Sequence, residues 1–307
     1  MGNPRRLLFR IGALTGAALI VAGVALRLLS SRRVVTAEDL RVNRLTVAAT
    51  IYPLYDIARE VAGQYAEVRL IVPPGASPHF FETTPRRLRE LQNVKLVFAV
   101  GHGLDNWATE ITGTAAVAQL FVVDRGIALR RMQDGTVDPH YWLHYGNARR
   151  IAENMANALS AADDVHASEY RAQAVAYGER LAEQEAHMRQ RLAPVRGVPF
   201  LTFHDAWFYF AQDLGLSPAG TFESAAQGEP TPRHLAALQE RIVTERIRVI
   251  FIEPQMSSSS LKSFAHDNGI GIAELDPLGG TEGRGTYLQM MEFNVEAMVR
   301  ALAPKAQ

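Results

Sequence analysis

The chain has 307 residues, 32 Lys+Arg against 32 Asp+Glu, no cysteine and 48% hydrophobic residues. That length suits one large or two ordinary domains, and a charged fraction of 21% excludes a disordered or acidic-tail protein. Zero net charge argues against a dedicated nucleic-acid binder, and without cysteine there are no thiolate metal sites, disulfides, Cys nucleophiles or Cys-linked lipid anchors.

The zero is a sum of unlike parts. No acidic residue precedes Glu38, whereas Arg5, Arg6, Arg10, Arg27, Arg32 and Arg33 give the first 33 residues a charge of +6; the remainder carries 26 positive and 32 negative groups, a net of −6. Three of these arginines precede an apolar run from Ile11 to Leu26, IGALTGAALIVAGVAL. A basic stretch before an apolar one is the pattern of an export signal, with Gly23 and Ala25 as small residues for a cleavage point. The run is short of the roughly 20 residues a spanning helix needs, but Arg27 can snorkel and let Leu28 and Leu29 extend it, so an uncleaved anchor fits as well. Residues 1–33 are thus expected to be a signal peptide or N-terminal membrane anchor, the chain's visible tether, which puts the rest in the periplasm or on the outer face of the cytoplasmic membrane.

From Thr46 onward, β-branched runs alternate with helical ones. TVAATI reads as a strand, Pro53 to Gly63 as a helix, VRLIV as a second strand; Thr84 and Pro85 open a helix as N-cap and first-turn proline; LVFAV (96–100) and FVV (121–123) are further strands. A helix follows around Ala148 to Leu159. From about Val165 to Leu192, Tyr170, Ala174, Tyr177, Leu181, Met188 and Leu192 recur at helical spacing; such a helix is about 40 Å long at 1.5 Å per residue. After Pro194 and Gly197 the alternation resumes: PFLTF (199–203), a helix through AWFYFAQDLG, a helix start at Thr231 and Pro232, VIFIE (249–253), a helix through SLKSFAHDNG, and GIAEL (271–275). The expectation is an α/β fold of two lobes with mostly parallel sheets, 34–164 and 194–307, joined by one long rigid linker helix at 165–193.

In open α/β sheets ligands bind beyond the carboxyl ends of the strands. There stand His79 after VRLIV, His204 and Asp205 after PFLTF, Glu253 closing VIFIE, and Asp276 after GIAEL, with His140 and His144 in DPHYWLH just before a helix. Three imidazoles and a carboxylate would make a divalent-cation site of the kind that suits zinc, though sequence spacing does not by itself bring them together. Other chemistries lack their motifs. HExxH fails because Tyr141 stands where its Glu would be, GHGLDN has Asn106 in place of the third glycine of a dinucleotide loop, and there is no GxxxxGK[ST] or GxSxG. A zinc metallohydrolase, with three His and a carboxylate around a catalytic water, is the rival from another class.

The stretches LIVPPGASPHFFETTP, DPHYWLHYGNARRIAENMANAL, PFLTFHDAWFYFAQDLGL, IFIEPQ, LDPLGG and YLQMMEFNVEAMVRAL, in that order and spacing, resemble the zinc/manganese substrate-binding proteins of ABC metal importers, over about residues 46–303. The resemblance implies two α/β lobes on one long helix, a non-enzymatic receptor working with an ABC permease and its ATPase, expected as a monomer, and metal ligands at His79, His140, His204 and Asp276. His at the third position points to Zn2+, where Glu would point to manganese or iron; Mn2+ stays possible. Glu82 and Asp205 are expected to orient the imidazoles. The chain departs from the family in its short segment 124–140, without a His- and Asp-rich run, and in His144 and Tyr145, where Asp or Ser and Pro are usual. His144 is then expected to cap the following helix poorly or to leave the task to Asn147. His102 reads as a loop residue near the cleft, and His166, His187, His234 and His266 as surface residues.

Overall fold

A computed structural model describes residues 44–114, 119–132, 134–223, 230–256 and 259–304; the expected signal or anchor at 1–33 lies outside the described residues. Among them, no helix is long and apolar enough to cross a membrane.

The first half runs β1 (Leu45–Ala49), α1 (Tyr52–Ala62), β2 (Ala66–Leu70), α2 (Pro85–Glu90), β3 (Leu96–Ala99), α3 (Trp107–Thr114) and β4 (Gln119–Val122). Its four strands lie in the order β2-β1-β3-β4, every pairing parallel. Then come α4 (Tyr145–Ala162) and the long α5 (Ala167–Arg191), whose 25 residues span about 37 Å. The second half has β5 (Pro199–Thr202), α6 (Phe208–Leu214), β6 (Ser217–Thr221), α7 (Pro232–Thr244), β7 (Val249–Ile252), α8 (Ser259–Asp267), β8 (Gly271–Glu274) and α9 (Tyr287–Leu302). Its sheet repeats the arrangement as β6-β5-β7-β8, again all parallel. The helix starts read from Thr84 and Thr231 are as expected: each hydroxyl accepts from the backbone N–H three residues on, Arg87 and His234, at 3.2 Å.

Three elements were not read from the local pattern: α9, whose stretch entered only as part of the resemblance, and β6 and α3. Sequence reading gave no strand at β6, SPAGT, because Pro218 and Gly220 are poor strand residues; as an edge strand it pairs only with β5, across a register shift at Phe200 and Leu201. Nor did it give a helix at α3, where Gly113 and β-branched residues carry little helical propensity.

The largest core cluster does not stop at a lobe boundary. It takes in Val47 and Phe98 of the first sheet, Tyr145 and Ile151 of α4, Tyr170, Tyr177, Leu181 and Met188 of α5, Phe200 and Phe251 of the second sheet, and Tyr287 and Met291 of α9. The residues read at helical spacing on α5 are its buried face. Full burial of each such side chain contributes about 1.5–3 kcal/mol, so separating the halves would expose a continuous apolar seam. Helix ends add a reciprocal tie. The first N–H groups of a helix lack intrahelical partners, and here each half supplies an acceptor to the other. Asp56 of α1 accepts from Tyr287 N at the start of α9 at 2.7 Å, and Asp213 of α6 accepts from Tyr145 N at the start of α4, also at 2.7 Å. The loop after β8 closes on α1 as well: Tyr52 donates to Gly285 O at 2.8 Å, and at Gly280, with φ of +80°, a Cβ would stand 2.6 Å from the Tyr52 ring, so only glycine fits.

Candidate metal centre

The carboxyl ends of both sheets and the turn before α4 deliver three histidines to one place. His79 lies in a 3-10 turn, Pro78–Phe80, that follows β2. His140 immediately precedes the 3-10 turn Tyr141–Leu143, and His204 follows β5. Among the described residues, ligand atoms of His79, His140 and His204 all lie within 4.8 Å of one another. The rings pack with centroids 5.5 Å (His79–His140), 5.9 Å (His79–His204) and 5.1 Å (His140–His204) apart. His140 Nε2 and His204 Nε2 face each other at 3.4 Å, close to the about 3.3–3.4 Å edge of a tetrahedron whose metal–nitrogen bonds are about 2.0–2.1 Å.

Carboxylates behind the rings explain why these nitrogens turn inward. Asp138 Oδ1 accepts from both the backbone N (3.0 Å) and ring Nδ1 (2.9 Å) of His140. Glu253 Oε1, at the end of β7, lies 2.8 Å from His204 Nδ1, an ion-pair contact off the hydrogen-bond axis, and accepts from Trp207 Nε1 at 3.0 Å. A carboxylate at Nδ1 draws the ring proton to that side and leaves Nε2 with its lone pair toward the cluster. Burial, reinforced by the charges of His140 and His204, pushes the His79 imidazole down to about 3, so it is neutral at physiological pH and able to bind a cation. At His204 burial acts downward too, yet the Glu253 charge outweighs it and the value is raised.

Asp138 is itself held from the other side. Arg130 Nη1 donates to Asp138 Oδ2 at 3.2 Å, and the same guanidinium forks onto Asp205 at 2.9 and 2.9 Å. It lies over the Phe208 ring, 4.3 Å from its centroid, and its backbone N–H donates to Tyr209 Oη at 2.7 Å. Arg130 therefore ties the segment that carries His140 to the α6 end of the second half. Burial tends to raise the Asp138 carboxyl, but the hydrogen bond and charge of His140, with Arg130 behind, hold it below its ordinary value. A cavity of about 690 Å³ opens on the three imidazoles, with Arg130, His102 and His234 in its wall.

Asp276, the fourth expected ligand, is fully buried but is not among the converging ligand atoms. Its Oδ1 accepts from Leu278 N and Gly279 N at 3.0 Å each and from Gln255 Nε2 at 3.1 Å, and its Oδ2 is 3.0 Å from Arg284 Nη1. Glu82, expected to orient an imidazole, is exposed, and Asp205 pairs with Arg130; Asp138 and Glu253 hold the rings instead. In the sequence Glu253 reads only as the residue closing VIFIE. Asp138 stands two residues before His140 in a turn-like Asp-Pro-His, the one local signal that could have found it. His144 caps α4 well, its Nδ1 accepting from Gly146 N at 2.9 Å, while Asn147 Nδ2 donates to Tyr141 O at 3.0 Å. His102 pairs with Asp124 at 2.8 Å. His234, expected at the surface, donates from Nε2 to Thr221 O at 2.9 Å and lines the cavity.

Residues 47–301 match the family of zinc-uptake complex component A, periplasmic (ZnuA). The chain is 27% identical over 267 residues to the iron-binding protein YfeA of Yersinia pestis, covering 84% of this chain and 86% of that one. It is 28% identical over 285 residues to the manganese ABC transporter substrate-binding lipoprotein PsaA of Streptococcus pneumoniae, covering 87% and 92%. The crystal structure of ZnuA superposes with a TM-score of 0.77 at 25% identity, covering 85% of this chain and 100% of that one.

Proposed function

The chain belongs to the zinc-uptake complex component A family, and from that premise we propose that it is the extracytoplasmic receptor of an ABC importer, capturing a divalent transition metal and delivering it to a membrane permease driven by a cytoplasmic ATPase. Zn2+ is the first candidate and Mn2+ the second. Relatives named for iron and for manganese match most of the chain, so the donor atoms have to decide between the metals. The observation that carries the reading is the convergence of three buried imidazoles, two with Nε2 atoms 3.4 Å apart and carboxylates behind them. Neutral imidazoles suit zinc better than manganese, which favours oxygen. His79, His140 and His204 bind as lone-pair donors in this reading.

The family is one of transport receptors, which favours capture and release over hydrolysis. The continuous core between the halves supports hand-over by small rearrangement rather than wide hinge opening. Operation as a monomer, in the periplasm or on the outer membrane face, held or exported by residues 1–33, completes the proposal. Calorimetric titration of the protein with Zn2+, Mn2+ and Mg2+ tests it. Zinc is expected to bind at least 100-fold more tightly than Mg2+, His204→Ala to lose most of that affinity, and His144→Ala to keep it. No preference of Zn2+ or Mn2+ over Mg2+ would refute the proposal.

A further inference from the structure

Just before His140 the chain turns back on itself in a short hairpin. Its arms, 130–132 and 136–138, pair antiparallel at Arg131 and Val137, with Asp138 N donating to Arg130 O at 3.0 Å and Met132 N to Thr136 O at 2.8 Å. A two-stranded ribbon is at best marginally stable alone, so its placement depends on what holds it. Tyr209, the second residue of α6, is buried against its base. The Tyr209 hydroxyl accepts from Arg130 N at 2.7 Å and donates to Asp138 O at 3.3 Å. A hydroxyl has one proton to give and two lone pairs to receive, so both bonds form together. One side chain of the second half thus clamps both arms at the residues that close the hairpin.

The clamp lies between two imidazoles of the metal centre. The stretch from His204 to Tyr209 carries one of them and also supplies the Asp205 fork and the Phe208 ring that hold the Arg130 guanidinium. On the other side Asp138 passes the hairpin's position on, since its Oδ1 accepts from both the backbone N and the ring Nδ1 of His140. Two hydrogen-bonded steps, hydroxyl to hairpin base and carboxylate to imidazole, therefore run beside the 3.4 Å gap between the Nε2 atoms of His140 and His204. Of the ties on the hairpin, the Arg130–Asp205 pair is partly solvated, and such pairs contribute little. The Tyr209 hydroxyl is the buried one and grips backbone atoms, which no rotation of a side chain can move away.

Resting on the receptor reading above, we propose that Tyr209 is a positioning residue that sets how fast the metal leaves: by clamping the hairpin it holds Asp138, and through Asp138 the His140 imidazole, against His204. The hairpin is the lever on that ligand. Met132, Asp134, Thr136 and Val137 form part of the wall of the large cavity that opens on the imidazoles, so a push on that wall bears on Asp138. Tilting the arms off Tyr209 turns the carboxylate and draws His140 away from the cation, while His204 keeps its own support in Glu253. Release by this route needs no separation of the two halves, which their common core resists.

The test uses the full chain and Tyr209→Phe, alone and combined with Asp138→Ala. Stopped-flow mixing of zinc-loaded protein with excess chelating dye gives the release rate, and mixing of metal-free protein with Zn2+ gives the association rate. Tyr209→Phe is expected to speed release about 10-fold while association stays within about twofold of wild type. That factor should vanish in the Asp138→Ala background, where the relay is already cut. A release rate unchanged from wild type, or the same factor in both backgrounds, overturns the proposal. Should Asp138→Ala fail to fold, proton–nitrogen NMR of the zinc-loaded Tyr209→Phe protein decides. The His140 Nδ1–H signal is expected to shift or broaden while that of His204 stays in place; an unmoved His140 signal, or equal movement of both, overturns it. If the wild-type protein itself takes up no zinc, the receptor reading fails and this proposal with it, whereas zinc uptake with release indifferent to Tyr209→Phe refutes only the role of Tyr209.

Discussion

Replacing Arg130 with Met removes a charge and a fork while keeping most of the aliphatic length over Phe208. The ion pair with Asp205, whose side chain is 37% exposed, is partly solvated, and such pairs contribute about 0.2–1 kcal/mol. The contact with Asp138 weighs more, because that carboxylate is fully buried and keeps only the ring and backbone N–H groups of His140 as donors once Arg130 is gone. A hydrogen bond to a buried charge contributes about 1.5–3 kcal/mol, and 3.2 Å places this one at the low end. Together the loss is about 2–2.5 kcal/mol. At about 2–4 °C per kcal/mol the melting temperature of the metal-free protein should fall about 4–10 °C. The sign with pH follows from Asp138, whose value is depressed: the stabilisation is complete above the ordinary carboxylate range and disappears as pH falls through the lowered value. Zinc affinity should drop as well, by about tenfold or more, since Asp138 orients His140. Arg130→Lys keeps the charge but not the fork and should lie between the two. Differential scanning calorimetry at pH 7 with zinc titration provides the assay. A melting temperature within about 1 °C of wild type and an unchanged zinc affinity would refute the idea that Arg130 supports both the closure and the His140 ligand.

Three further outcomes follow from the same geometry. His79, ordinarily near 6.5 and pushed down to about 3, takes a proton in the unfolded chain that the fold does not accept, so metal-free stability should fall by about 1 kcal/mol between pH 6.5 and 5.5; urea unfolding of wild type and His79→Asn checks it, and identical slopes with pH would contradict it. The raised value at His204 means that zinc displaces a proton there. Calorimetry at pH 6 in buffers of different ionisation enthalpy should therefore show proton release that grows as pH falls, and buffer-independent heats would count against it. Asp56→Ala leaves the Tyr287 N–H at the start of α9 without its 2.7 Å acceptor; a loss of about 1–3 kcal/mol is expected in thermal melts, with Asp56→Asn losing less.

Both sheets were readable because their strands are β-branched runs bounded by Gly and Pro, and α5 because its Tyr, Leu and Met residues repeat at the helical period. Where local propensity and tertiary context part, the reading failed. The β6 segment is a strand only because β5 offers it an edge, and α3 is a helix despite Gly113. The histidines were visible as residues after strand ends, but what makes them a cluster is not a property of any local stretch. Asp138 and Glu253 reach their imidazoles from different halves, and Arg130 joins them through Asp205 only after folding. Asp276 shows the limit most clearly. A carboxylate at the end of a strand is a reasonable metal donor by type, but a donor needs a free lone pair directed at the cation. Here two backbone N–H groups and Gln255 Nε2 donate to Oδ1, whereas Oδ2 lies 3.0 Å from Arg284 Nη1 without a hydrogen bond, so the fold orients the carboxylate through one oxygen and leaves the other with acceptor capacity that no local stretch of sequence announces.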